Sequence, residues 1–413
     1  MERSELSSDD DEEQPRTLAE QLATIVSGQR LRVLIVGGGI AGATLAAALQ
    51  RHDITAAILE RSVDPEADGY MLGLIPLGGN VLHALGLWDA YARESVPIHA
   101  YALHDGTGAL IRHYPLASIT DRFGDWRGVE RGRLLDLLLD RVAPVVRGGT
   151  VASFMPVAHG LAVTFSDDST ERFDVVIGAD GMGSHLRDLL LQVGDISVFD
   201  TGWGGYVAWA HADGLDLDVY REAWGPGFGM GMYPVPGRVG LFLGGPNHAL
   251  STRSLGEAAH DLRQHLIYGP FARALDQLER NQPAFYWRMA DVRADHWVEG
   301  RVALLGDAGA GFLPTAGVGA SAAMEAAYEL AQRLASTKSA GVLDALLAFE
   351  ARERPRVEQL QRSSRWIGRF MFVESKTLTW ARDHAMQHVG LDTVLSDVEQ
   401  IMSTARLSLR HHA

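Results

Sequence analysis

From Leu31 the chain reads Leu31-Arg32-Val33-Leu34-Ile35-Val36, an almost unbroken apolar run. It is followed at once by Gly37-Gly38-Gly39-Ile40-Ala41-Gly42 and an Ala/Leu-rich stretch through Gln50. A short continuous apolar run is the pattern of a strand buried on both faces, and the stretch after it has the length and composition of a helix. A second strand, Ile54 to Leu59, ends at Glu60. The pattern therefore predicts a complete unit of strand, glycine turn, helix and strand. Further along it predicts a helix from Arg131 to Val146, buried strands at Phe173 to Ile177 and Arg301 to Leu305, and a helix from Gly317 to Leu334. Between about 195 and 290, aromatic and small residues alternate and are punctuated by Gly and Pro, which predicts antiparallel strands with a helical insertion near 253–280. From about 341 the chain is predicted to be mostly helical.

Composition narrows what such a chain can do. Its 413 residues are 46% hydrophobic and 22% charged, the balance of a soluble globular protein. The exception is the start, Met1 to Pro15, which is acidic and nearly free of apolar groups and is expected to be disordered. With 37 basic against 52 acidic residues the net charge is -15, which argues against a nucleic-acid or anionic-membrane partner. The chain has no cysteine. Disulfides, iron–sulfur clusters and thiol redox chemistry are thereby excluded, and any redox reaction needs an organic cofactor. Apolar runs fall short of the roughly 20 residues that cross a bilayer, so a cytoplasmic protein is expected. No cluster with metal-ligand spacing stands out, so no metal is expected.

The chemistry begins at Gly37-x-Gly39-x-x-Gly42. That spacing serves a tight turn, close backbone approach to a pyrophosphate, and close packing of helix on strand. It follows a strand and opens a helix whose N-terminus favours phosphate, and Glu60 stands at the end of the next strand, beside Arg61. A carboxylate at Glu60 can accept both ribose hydroxyls of an adenosine. This unit alone leaves NAD and FAD both open.

Two further segments decide between them: Asp174-Val175-Val176-Ile177-Gly178-Ala179-Asp180-Gly181, continuing to Arg187, and Gly306-Asp307-Ala308 with Pro314 and Gly317-Val318-Gly319 downstream. Both resemble signatures of the FAD-dependent group A monooxygenases, the aromatic hydroxylases of the para-hydroxybenzoate hydroxylase type. Gly73 to Trp88 and Arg131-x-x-Leu134-x-x-x-Leu138 resemble the same family, so the similarity spans nearly the whole chain. The resemblance implies an α/β fold in which an interrupted Rossmann-like FAD domain carries a mixed β-sheet substrate domain and C-terminal helices. It also implies FAD contacts at Ala41, Arg61, Arg131 and Gly306, a role for Asp180 at the flavin and in transient nicotinamide binding, and Pro314 beside the isoalloxazine. Asp307, at a strand end, is placed to bond ribityl hydroxyls, and the amides of Gly317, Val318 and Gly319 to bind the electron-rich edge of the flavin. The sequence departs from the family's usual pattern at Gly309-Ala310, Val318, Ser321, Ala326 and Glu353.

The expected domains are a tail and lead-in at 1–30, an FAD domain at 31–95, 128–195 and 290–345, a substrate domain at 96–127 and 196–289, and a helical segment at 346–413. In alternating strands Phe228, Met230 and Met232 share one face, and Trp203 with Trp209 another, so one such row is expected to roof the flavin. The expected substrate wall is Tyr206, Phe228, Met230, Met232 and Pro314. No catalytic acid or base is assigned; His185, His211 and Tyr233 are candidates by position alone. The expected reaction uses NADPH or NADH to reduce FAD, then O₂ to form a C4a-hydroperoxyflavin that hydroxylates or epoxidises an apolar aromatic or polyketide-like substrate. Two alternatives on the same fold are a structural FAD in a non-redox polyene cyclase and a flavin-dependent prenyl or polyene reductase.

Overall fold

The run Val33–Val36, buried at every position, lies in the middle of a six-stranded sheet. The computed structural model describes residues 16–64, 69–267, 269–278, 284–390, 393, 395–405 and 407. In strand order this sheet is Val298–Glu299, Val302–Leu304, Val175–Gly178, Val33–Val36, Ala57–Glu60 and Val146–Arg147. Ile35 pairs with Ile177 on one side and Ile58 on the other, all in parallel register. Parallel strands are covered on both faces, which is why the sequence runs apolar here without alternating. One cover is helical: Ile40–Gln50 and Gly319–Ala335 pack together through small residues such as Ala43, Ala327 and Ala331. The other is a small antiparallel sheet of Val151–Val157, Gly160–Phe165 and Thr170–Phe173, with the helix Leu18–Ile25 beside it.

That outer sheet divides a strand the sequence presents as one. Phe173 belongs to the outer sheet and Val175 to the central one, because buried Asp174 turns the chain between them. Its carboxylate accepts from Arg32 N at 2.8 Å and from Ser339 Oγ at 2.7 Å, fastening two other segments at the crossing. The helix Leu18–Ile25 starts with a capping box between Thr17 and Glu20. The acidic stretch over residues 1–15 and the terminal Arg410-His411-His412 lie outside the described residues.

The second large sheet has eight strands in the order Ala310–Gly311, Phe285–Ala294, Ile196–His211, Arg238–Pro246, Phe228–Val235, Val219–Gly225, Ala100–Asp105 and Leu110–Pro115. All its pairs are antiparallel except Val219–Gly225 with Ala100–Asp105. The helices Leu255–Arg263 and Gly269–Leu278 cover one face, and the other looks toward the nucleotide-binding elements. Phe285–Ala294 runs across the expected division at 289/290 and pairs with Ala310–Gly311, so the two parts of the fold are stitched by backbone hydrogen bonds. The C-terminal helices Val342–Met371, Lys376–Met386 and Ser396–Thr404 close the side of the cavity between them. Among the described residues no helix is long and apolar enough to cross a membrane.

Candidate active site

Three glycines shape the turn after Val36, each for a different reason. Gly37 has φ of +107°, and a Cβ there would lie 2.3 Å from the Ala179 carbonyl oxygen, so the turn is pressed against the loop that carries Asp180. A Cβ on Gly42 would meet the Gly37 carbonyl oxygen at 2.1 Å, so the helix sits closer to the strand than any side chain permits. Gly39 is different: its missing side chain faces open space, with the nearest atom, Arg131 Nη2, 4.0 Å away. Gly39 caps the helix Ile40–Gln50 without a side-chain bond, so the first-turn N–H groups beside the cavity are left for an anion. Glu60 braces the turn, accepting from Gly38 N at 2.8 Å and Ser62 N at 2.9 Å, and stays partly exposed; Arg61 is exposed.

The strand Val302–Leu304 brings a second group to the same place. Gly306, at φ +62°, lets the strand end close on the first helix, where a Cβ would lie 2.9 Å from Ala41 Cβ. Asp307 then opens into the cavity beside Ala41 and Arg131. Among the described residues no donor bonds its carboxylate, and burial lifts its pKa to about 6 against the opposing pull of the Arg131 guanidinium. Across the cavity wall, Pro314 and the Gly317 turn, φ +62°, lead into the 17-residue helix Gly319–Ala335, capped at Val318. An acceptor with no donor, set beside a helix N-terminus with unused amides, fits a ligand that has hydroxyls and an electron-rich ring edge. Asp180 is not such a group. Its carboxylate is turned back on its own chain, accepting from Ser184 Oγ at 2.5 Å and Leu186 N at 3.0 Å, while its neighbours Ala179 and Gly181 line the cavity.

The cavity, of about 370 Å³, has an apolar and aromatic roof. The structure corrects which residues form it. Phe228, Met230 and Met232 point to the opposite face of their strand, buried against Ala259, Leu262 and Leu275 of the covering helices. Tyr206 also lies on that side, edge-on to Tyr286 and donating its hydroxyl to the Arg253 carbonyl. The reason is that this sheet is covered on both faces, so alternation identifies two faces without telling which one meets the flavin. Val207, Phe242 and Met289 face the cavity, as does Tyr233, one residue out of step with Met232. Of the expected substrate wall, Pro314 alone lines the cavity. His185 and His211 do not line it.

The roof residues that sequence reasoning missed sit on Val219–Gly225, where Tyr220, Glu222 and Trp224 alternate onto the cavity face. Buried Glu222 accepts from Tyr101 Oη at 2.8 Å, Trp224 Nε1 at 2.8 Å and Tyr233 Oη at 2.6 Å. Burial raises its pKa, and the three hydrogen bonds oppose that rise. Tyr101 and Tyr233 are pushed well above the usual tyrosine value by burial and by the adjacent carboxylate, so both remain donors. The period-two spacing of 220, 222 and 224 was the signal available for them.

Comparison with known proteins agrees with this geometry. The model of the FAD binding domain family matches residues 30–212 and 272–364. The chain belongs to the FAD-dependent monooxygenases of the para-hydroxybenzoate hydroxylase type. Aurachin C monooxygenase/isomerase of Stigmatella aurantiaca is 29% identical over 88% of this chain and 96% of its own. The 3-amino-4-hydroxybenzoate 2-monooxygenase PtnB3 of Streptomyces platensis is 30% identical over 88% of this chain and 94% of its own. Among solved structures, Klebsiella pneumoniae HpxO complexed with FAD and uric acid superposes with a TM-score of 0.82 at 25% identity, covering 92% of this chain and 98% of that one. FAD is the cofactor of this monooxygenase. Of its departures from the family pattern, Val318 lines the cavity and Glu353 pairs with Arg352 at 3.1 Å, while the others are packing positions. Ser321 Oγ accepts from Ile75 N at 3.2 Å, Ala310 and Ala326 are buried, and a Cβ on Gly309 would lie 3.0 Å from the Trp297 ring.

Proposed function

We propose that the chain inserts one atom of O₂ into an apolar aromatic or polyketide-like small molecule, with NADPH or NADH as reductant. The observation that carries this is a single cavity with two chemically different walls. One wall presents Asp307, Arg131 and the Val318 and Gly319 amides, groups suited to a flavin, the expected Gly317 amide being taken up by the Pro314 carbonyl at 3.0 Å; the other presents Val207, Phe242, Met289 and the tyrosines, suited to an apolar ring. FAD supplies the redox chemistry when bound: it takes a hydride from the nicotinamide and activates oxygen.

The chain's own residues supply position and dryness. The amides of the Gly39 turn would receive the pyrophosphate, Glu60 the adenosine ribose and Asp307 the ribityl chain. The positive end of the helix Gly319–Ala335 would favour negative charge on the bound flavin. Pro314, Leu313 and Phe312 form the apolar floor beside it, and the helices carrying Ile367, Met371 and Met386 exclude water from the side. Hydroxylation or epoxidation at such a site needs no nucleophile from the protein. Incubating the purified protein with NADPH, O₂ and a panel of uncharged phenols and polyketide-like polycycles tests the proposal. A product heavier by one oxygen atom, formed with stoichiometric nicotinamide oxidation, is expected; isomerised product without nicotinamide consumption would instead place a structural flavin in a cyclase.

A further inference from the structure

The roof of the cavity carries a charge that flavin binding does not use. Arg131 and Asp307, the other charged lining residues, both lie on the flavin wall, whereas Glu222 lies among Tyr101, Tyr233, Trp224 and Tyr220. The residue is 8% exposed. The three donors that hold it are all neutral, and no cation contributes to its electrostatic surroundings. Neighbouring Arg221 is turned to the other side of the strand, where it bonds Asp216 at 2.7 Å.

The local backbone is arranged around this carboxylate. Gly231 is the cross-strand partner of Glu222, and a Cβ there would lie 2.3 Å from Tyr233 Oη, so only glycine lets that ring cross to the carboxylate. Trp224 and Tyr101 both donate to Oε2, which fills it, while Oε1 takes one hydrogen bond from Tyr233 and retains a lone pair. A buried carboxylate without a counter-charge costs several kcal/mol relative to an apolar residue of the same size. Packing alone gives the roof no reason to hold one. Polar groups placed singly in an otherwise apolar cavity fix the orientation and identity of a ligand.

We propose that Glu222 is the specificity-determining residue of the substrate site: its Oε1 accepts a hydrogen bond from an O–H or N–H on an uncharged aromatic ring, and its charge turns away rings that carry a carboxylate. The proposal rests on the reading of this cavity as the substrate site. Donation to a carboxylate orients the ring, since the donor is tied to the roof while the opposite edge lies over Pro314 and the flavin wall. It also leaves the donor oxygen or nitrogen more electron-rich, which favours attack by the ring on an electrophilic oxygen.

The test is calorimetric titration of the FAD-loaded chain with three probes of one shape: para-phenylphenol, its methyl ether and para-phenylbenzoate. A charge-assisted hydrogen bond contributes about 1.5–3 kcal/mol, so the phenol should bind at least roughly tenfold more tightly than the ether, and the benzoate more weakly than either. Glu222→Gln should bring phenol and ether to similar affinity and admit the benzoate. Tyr233→Phe keeps the carboxylate and should retain the preference for the phenol, so the proposal stays testable even if the glutamine variant loses its fold. Equal binding of phenol and ether by the wild-type chain, binding of neither, or preference for the benzoate overturns it. Calorimetry reads binding without turnover. A chain that shows the expected pattern yet transfers no oxygen keeps the Glu222 assignment and loses the monooxygenase reading.

Discussion

Asp307 should weaken the apoprotein and strengthen the holoprotein, and Asp307→Asn separates the two effects. Burial raises its pKa from 3.8 to about 6 with only Arg131 opposing. A raised carboxylate pKa means that the folded apoprotein holds a proton the unfolded chain has released. Stability is therefore highest below about pH 4 and falls as pH rises to about 6, above which the loss is complete. At about 1.4 kcal/mol per unit, the shift of roughly two units amounts to about 3 kcal/mol, and water entering the open cavity reduces it to about 1–2 kcal/mol. Asn carries no charge, so the apo variant should unfold at the same temperature as the wild type near pH 4 and about one to two degrees higher near pH 8, because a chain of 413 residues has a large unfolding entropy. FAD binding should respond in the opposite sense. Losing a charged acceptor for the ribityl hydroxyls costs about 1.5–3 kcal/mol, or roughly a 10- to 100-fold weaker complex. Thermal unfolding of both apoproteins across pH, paired with FAD titration, measures both effects. An apo variant less stable than wild type at pH 8, or one with unchanged FAD affinity, would refute the reasoning.

Gly39→Asp should abolish flavin retention, because it places a carboxylate in the open space meant for the pyrophosphate; a variant purified with its full flavin spectrum contradicts the site. Arg365→Ala should cost about 3–5 kcal/mol in denaturant unfolding, since fully buried Asp291 then loses the partner that bonds it at 2.6 and 2.7 Å. Met230→Ala should cost about 2–5 kcal/mol of stability while leaving FAD and ligand affinity unchanged, as expected of a residue packed on the far side of the sheet. A changed ligand affinity in that variant would return Met230 to the cavity.

The FAD half was legible because its constraints are local in sequence. A buried strand, three glycines at fixed spacing, a carboxylate at the next strand end and a glycine-led helix each express one contact that the neighbouring residues must allow. The roof was not legible for a specific reason. Phe228, Met230 and Met232 on one face and Val207 and Phe242 on the other are equally apolar, since helices cover one side and the cavity is the other. Asp180 shows a related limit of spacing: its position after a strand is right for a cofactor contact, and only the fold shows that its carboxylate also accepts from Ser184 and Leu186. Glu222 was visible as an acidic residue in a strand. What reveals its importance is that Tyr101, Trp224 and Tyr233 converge on it from three strands, a fact of folding rather than of spacing.

The central claim, a redox-active FAD facing an apolar substrate roof, is tested most directly by mixing the purified flavoprotein anaerobically with NADPH and then with NADH, and admitting oxygen afterwards. The account predicts that one nicotinamide bleaches the visible flavin absorption, faster with an uncharged aromatic ligand present, and that oxygen restores it. A bound flavin that stays oxidised with both nicotinamides, with or without ligand, would contradict it.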